Sequence, residues 1–299
     1  MTDSMKTITR RDFLRETGYA ALGVAVAFPL VGEGKDRFPD KTRVVLVRDP
    51  DAIDSKGRIN ADVIQHMLDQ AVTTLLDKDN PVESWKLLIQ PNDVVGIKSN
   101  VWGPLPTPLE IEQAIKKRVM DVGVHEKNIS IDDHGVLGNH IFLNATALIN
   151  VRPLRTHHWA GIGGCLKNYI MFVPEPNRYH GNSCADLATI WKLPIVRDKT
   201  RLNVLVLLRP LFHGIGPHHF DSTYIWEYKG ILVGTDPVAL DAVGLHLFQA
   251  KRFAYFGKDH PIRPSPHHVA FADIKHKLGT SDLRRIELVK LGWKDDILI

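Results

Sequence analysis

Three features of the sequence predict an α/β fold with a largely parallel sheet and flanking helices. Short apolar runs rich in valine, isoleucine and leucine alternate with longer amphipathic stretches. Cap residues or prolines stand at several of the helix starts between them. With 299 residues, 44% of them hydrophobic, the chain is large enough to bury a full core.

The elements follow in order. Residues 43–48 (RVVLVR) read as a strand, and residues 61–76 as a helix with Asn60 at its N-cap. Residues 93–98 (DVVGIK) form a second buried strand. Thr107-Pro108-Leu109-Glu110 combines a capping box with proline at the first helical position, so a helix should run to about Val122 and stop at Gly123. Residues 128–132 (NISID) are the next strand. This strand–helix–strand rhythm implies a parallel sheet with right-handed crossovers. Residues 151–194 read as an irregular insertion rich in glycine, histidine and asparagine. Residues 203–209 (NVLVLLR) and 230–235 (GILVGT) are further strands, and Asp236-Pro237 opens a helix through about Ala250. No repeat or linker divides residues 33–299, which read as a single domain.

The first 32 residues read as an address. Thr9-Arg10-Arg11-Asp12-Phe13-Leu14-Arg15 precedes an uncharged run from Gly18 to Val31. That run is too short to cross a hydrocarbon core of roughly 30 Å. It matches a signal peptide of the twin-arginine type, with Ala25-Val26-Ala27 as a small-x-small cleavage site and cleavage expected between about residues 27 and 32. The expectation is a soluble, exported, periplasmic protein that meets the twin-arginine machinery and has no stable membrane anchor. That route carries folded proteins and is often used when a cofactor is inserted before export.

Composition narrows the function classes. A net charge of +4 argues against a nucleic-acid partner. Two cysteines are too few for a self-supplied iron–sulfur cluster. Cys165 and Cys184 either pair after export, or Cys165 serves as a ligand within its glycine-rich loop. The sequence contains no G-x-S-x-G, H-E-x-x-H or C-x-x-C motif.

The 15 histidines are the unusual feature. The segment from His157 to Asn168 places His157, Gly161, Gly163, Gly164, Lys167 and Asn168 close together. Its glycines permit close backbone approach, and Lys167 adds an ammonium group for an anion. His213, His218, His219 and Asp221 follow a predicted strand, where α/β sheets place ligands. Asp132-Asp133-His134, Lys98 and Asn100 lie at other strand ends. His260, His267, His268 and His276 fall in the polar C-terminal part and read as solvated.

Val95–Asn100, the Pro106-Thr107-Pro108 helix start, the stretch from Thr156 to Asn168 and Gly234-Thr235-Asp236-Pro237-Val238-Ala239-Leu240-Asp241 carry a resemblance. In order and spacing, over about residues 43–290, the chain resembles the family catalogued as domain of unknown function 362. Many relatives append a ferredoxin-like segment with clustered cysteines, which is missing here. More distantly, His157, Trp159-Ala160-Gly161, Gly163-Gly164 and Lys167 resemble the nickel-pincer lactate racemase family. That resemblance implies a lysine tethering a pincer nucleotide, with His180 as the following nickel ligand and His134 as a further counterpart. The arginine of that family's Thr-Arg-Pro-Thr-Pro run is Leu105 here.

The expected function is an exported enzyme with a metal ion (nickel, iron or zinc) or an organometallic nucleotide, acting in redox or proton/hydride transfer on a small polar substrate. Its catalytic candidates are His157, His134 and Asp241. Lys167, Gly161, Gly163, Gly164, Asn168, Lys98 and Asn100 would bind the cofactor, and His157, His180 and His213 the metal. The alternatives are a non-catalytic metal- or anion-binding protein, and a hydrolase or phosphoryl-transfer enzyme using the glycine-rich loop as an anion cradle.

Overall fold

The computed structural model describes residues 41–214 and 220–299. The expected signal peptide, its cleavage site, and His218 and His219 lie outside the described residues. The architecture is a mixed α/β fold around one eight-stranded sheet. Its strands are β1 (Thr42–Arg48), β2 (Val95–Lys98), β3 (Ile129–Asp132), β4 (Ala147–His157), β5 (Gly161–Gly163), β6 (Thr200–Leu211), β7 (Gly230–Gly234) and β8 (Ile286–Gly292). Their order is β3-β2-β4-β6-β7-β1-β8, with β5 paired on the end of β4. β7 runs antiparallel to both β6 and β1, and β5 is antiparallel to β4; the other pairings are parallel.

Strand alternation builds a core on each face. In β1, Val45 and Val47 pack toward one layer, and Val44 and Leu46 toward the other. Helices α1 (Ala61–Leu76), α2 (Pro81–Lys86) and α3 (Leu109–Asp121) supply the first layer through Ile64, Leu68, Trp85 and Ile115. The short helix α5 (Cys165–Asn168) and the long α6 (Pro237–Phe256) supply the second through Leu166, Val243 and Phe248, with α7 (His267–Ile274) beside them. A one-turn helix, α4 (His140–Leu143), follows β3.

The expected caps hold at two helices. Asn60 accepts from the Asp62 and Val63 backbone N–H groups, and Asp236 from those of Val238 and Ala239. The capping box does not form at α3. Pro108 sits at its N-cap without a side-chain bond, because Thr107 is turned inward and its hydroxyl accepts from the Asn100 N–H at 3.1 Å.

Residues 151–194 are not irregular at their start. β4 continues to His157 with every residue buried, and β5 follows at once. Arg152 and Arg155 interrupt its hydrophobic run, which hides the strand from a reading by pattern. β8 and α2 also went unpredicted, since Glu287 and Lys290 break the β8 run (IELVKLG) out of strict alternation and the α2 helix is a single amphipathic turn and a half.

Candidate functional site

β2, β3, β4 and β6 run parallel, so their carboxyl ends share one edge of the sheet, where α/β proteins bind ligands. Lys98 ends β2 and is fully buried. Its ammonium donates to Asp133 and to the Ser99 carbonyl at 2.7 Å, while burial lowers its pKa to about 8. Asp133 also accepts from the Val101 N–H at 2.9 Å. Behind them runs a chain of buried amides. Asn168 Nδ2 donates to the Lys98 carbonyl and to Asn150 Oδ1, Asn150 Nδ2 donates to Asn203 Oδ1, and Asn203 Nδ2 donates to the Thr235 carbonyl. Lys98 and Asn168 therefore lock strand ends together.

β4 supplies the centre of the site. Its pairing with β6 shifts register between Pro153 and Arg155, where the extra residues lie on β6. Arg152 and Arg155 act electrostatically on each other and both on Asp133, His157 and Lys167. Both are buried, and no carboxylate among the described residues stands within ion-pair distance of either. Nε of Arg152 and Nε and Nη1 of Arg155 are buried without a hydrogen-bond partner. The Arg155 guanidinium lies 4.0 Å over the Trp102 ring.

His157 closes β4. Its Nδ1 accepts from the Trp159 and Ala160 backbone N–H groups at 3.2 and 3.4 Å. Burial, then Lys167, Arg155 and Arg152, hold its pKa far below the usual imidazole range. The ring is thus neutral and carries its proton on Nε2. Lys167, on α5, is 4% exposed. Its Nζ lies 3.0 Å from His180 Nε2 and 4.0 Å from Cys184 Sγ, and burial lowers its pKa to about 8. His180 is lowered to about 4 by burial and then by Lys167. The His180 ring packs 4.1 Å from Trp159 and 6.3 Å from His157.

The glycines serve neighbours within the chain. A Cβ on Gly161, whose φ is +75°, would meet the Pro264 carbonyl at 2.3 Å; one on Gly163 would stand 2.9 Å from Arg152 Nη2; one on Gly164 would strike the Asp241 carboxylate at 2.1 Å. Asp241 is fully buried on α6 and accepts from the Cys165 and Leu166 N–H groups at 2.6 and 3.0 Å. It therefore holds the start of α5, and burial raises its pKa to about 7.

The remaining expected residues stand elsewhere or at the margin. His134 is 69% exposed, with Nε2 3.3 Å from Asp133 Oδ2. Asn100 keeps its Oδ1 buried without a partner. His213 belongs to a separate group, where its Nδ1 receives Arg252 Nη1 at 2.8 Å. Cys165 and Cys184 are both buried and free.

The donor chemistry does not fit a metal held jointly by His157, His180 and His213. The Nδ1 atoms of His157 and His213 already accept hydrogen bonds, which leaves N–H on Nε2 where a metal needs a lone pair. Among the described residues no group of three or more His, Cys, Asp or Glu side chains is arranged to hold a metal. The Lys167 amine lies against His180 and Cys184, and among the described residues no metal-ligand set surrounds it.

Three important residues escaped the sequence reading. Arg152 and Arg155 were legible only as two charges inside an apolar run. His268, expected to be solvated, is fully buried on α7 with neither ring nitrogen hydrogen-bonded. Burial, then the charges of Lys167, His267 and Arg152, lower its pKa to about 3, the Ser183 backbone pulling weakly the other way.

No curated protein and no solved structure matches the chain. A family model described as Domain of unknown function (DUF362) matches residues 109–246, a span that takes in Asp133, Arg152, Arg155, His157, Lys167 and Asp241.

Proposed function

We propose that the chain is an exported enzyme that seats a small anionic substrate against Arg152, Arg155 and Lys167 and transfers a proton at Lys167. The observation that carries this reading is the pair of buried guanidinium groups with unpartnered N–H donors. A guanidinium stays charged, and desolvating an ion costs several kcal/mol even after relaxation. Asp133 is committed to Lys98 and Val101, and Asp241 to the α5 backbone, so the four buried cations of this cluster exceed its two carboxylates. An anionic ligand supplies the missing charge and acceptors.

Lys167 suits acid–base work. At a pKa of about 8, both its amine and its ammonium are populated near neutrality, and His180 Nε2 at 3.0 Å is in reach to share its proton. His157 offers a neutral N–H donor that would stabilise negative charge developing on the substrate. The second reading, a covalent cofactor tethered at Lys167, is favoured by the same lowered pKa and by the resemblance noted above.

Inorganic sulfate is a suitable probe. At low ionic strength it should raise the melting temperature of the wild type saturably and leave Arg155→Met and Lys167→Ala unaffected. Equal stabilisation of all three proteins would overturn the anion reading. Intact mass of protein from its native host separates the two readings. A mass increment in the wild type that is missing from folded Lys167→Arg would establish the tether.

A further inference from the structure

The sequence grouped His213 with metal-ligating candidates, but the structure gives it a different role. Arg252, on α6, is 4% exposed and uses its guanidinium on the residues around it. Nε donates to the His260 carbonyl, Nη1 to the Phe212 carbonyl and His213 Nδ1, and Nη2 to His260 Nδ1 and the Pro261 carbonyl. A guanidinium has five N–H groups and no acceptor, so both imidazoles must accept at Nδ1. Both are held neutral: His213 is lowered to about 4, and His260 is lowered as well, in each case by burial first and then by Arg252. Each ring therefore carries its proton on Nε2.

These two rings, with centroids 5.2 Å apart and nearly perpendicular, line a cavity of about 390 Å³ together with Thr156, Arg263 and Ile262. Thr156 is 3% exposed, and its hydroxyl is buried without a hydrogen-bond partner. Side chains alternate along a strand, so Thr156 leaves β4 on the face opposite Arg155 and His157. Two imidazoles with a fixed Nε2–H and a threonine with an unused hydroxyl thus stand in the cavity lining. Arg252 and Arg263 outweigh Asp259 in charge around it.

We propose that this cavity is a second binding site, distinct from the Lys167 cluster, that takes a small monoanionic carboxylate through its oxygen atoms. The two imidazoles donate to the carboxylate, and the Thr156 hydroxyl completes its coordination. Arg252 does not touch the ligand; it fixes the tautomer that makes both histidines donors.

Histidine-selective ¹⁵N NMR of the full chain at pH 7, titrated with sodium acetate against sodium chloride, tests this. The ligand-free spectrum should show His213 and His260 as Nε2–H tautomers. Acetate should shift both signals saturably, chloride should not, and Thr156→Val should weaken the response at least tenfold. Arg155→Met should retain the His213 and His260 response, since it alters only the Lys167 cluster. Either histidine in the Nδ1–H form, a linear unsaturated response, or equal affinity in folded Thr156→Val would overturn the proposal. Loss of the response in Arg155→Met would assign acetate to the Lys167 cluster and overturn it equally. Should Thr156→Val fail to fold, Thr156→Ser, which keeps the hydroxyl, and Thr156→Ala, which removes it with less change of shape, give the same comparison.

Discussion

Arg155 carries a cost that its surroundings do not repay. It is 5% exposed, stacked on Trp102, with Nε and Nη1 unpartnered. Methionine keeps much of the apolar contact and removes the buried charge. Arg155→Met should therefore raise the stability of the ligand-free protein, by on the order of 1 kcal/mol or more, while abolishing sulfate binding. Chemical denaturation with and without sulfate checks both halves, and a destabilised variant would mean that the guanidinium is partnered in solution. Lys167 makes a pH-dependent case. Its native pKa of about 8 lies below the ordinary 10.5, so between those values the unfolded chain holds a proton that the native chain has released. Stability contributed by this group then rises as pH climbs from about 8 to about 10.5, by on the order of 3 kcal/mol in all. The difference in stability between wild type and Lys167→Met, followed across that window, isolates the effect from the opposing contributions of Cys165 and Tyr169, whose pKa values burial raises. A flat difference would place Lys167 in contact with water.

At the scale of elements, Gly164, α5 and Asp241 form one unit. The carboxylate accepts from the first two N–H groups of a four-residue helix, and a glycine is required where that carboxylate passes. The sequence shows both halves, the Gly-Gly pair and the Asp-Pro helix start, yet it does not show that they meet across 75 residues of chain. Asp241→Asn replaces one acceptor with a donor facing a backbone N–H, which should cost about 1–3 kcal/mol. Because α5 carries Lys167, sulfate affinity should fall with it. Asp236→Ala also removes a helix cap, at a cost of about 1–2 kcal/mol, but Asp236 serves only the starts of α6 and the Thr280 turn, so sulfate affinity should hold. Denaturation curves and sulfate titrations of the two variants decide the matter; parallel losses of affinity would remove Asp241 from the site. Elements with strong caps and continuous apolar runs, such as α1, β1 and β7, were legible residue by residue. β4 was not, because its two arginines belong to a site whose tertiary surroundings override local hydrophobicity.

At the scale of the whole molecule, strand ends, Lys167 and His157 pointed in the sequence to the candidate site, but how the histidines are bonded was not legible there. A histidine's role depends on which nitrogen is already bonded and on what lies across the fold, and neither is a property of spacing. Arg252, 39 residues from His213, decides that ring's tautomer. The proposed export reading brings the same scale to the proposed anion site. Four buried cations assembled from β2, β4 and α5 exist only in the folded chain, so a ligand seated there must be taken up after folding. A route that carries folded proteins allows that uptake to occur before translocation. Arg10 and Arg11 are the residues on which this depends. Changing both to lysine preserves the charge but removes the paired guanidinium groups. The double variant should accumulate as uncleaved precursor in the cytoplasm, folded and able to bind sulfate. Cell fractionation with intact-mass analysis gives the answer. Efficient export of the double variant would assign the leader to a route for unfolded chains, and any ligand would then have to be acquired outside the cytoplasm.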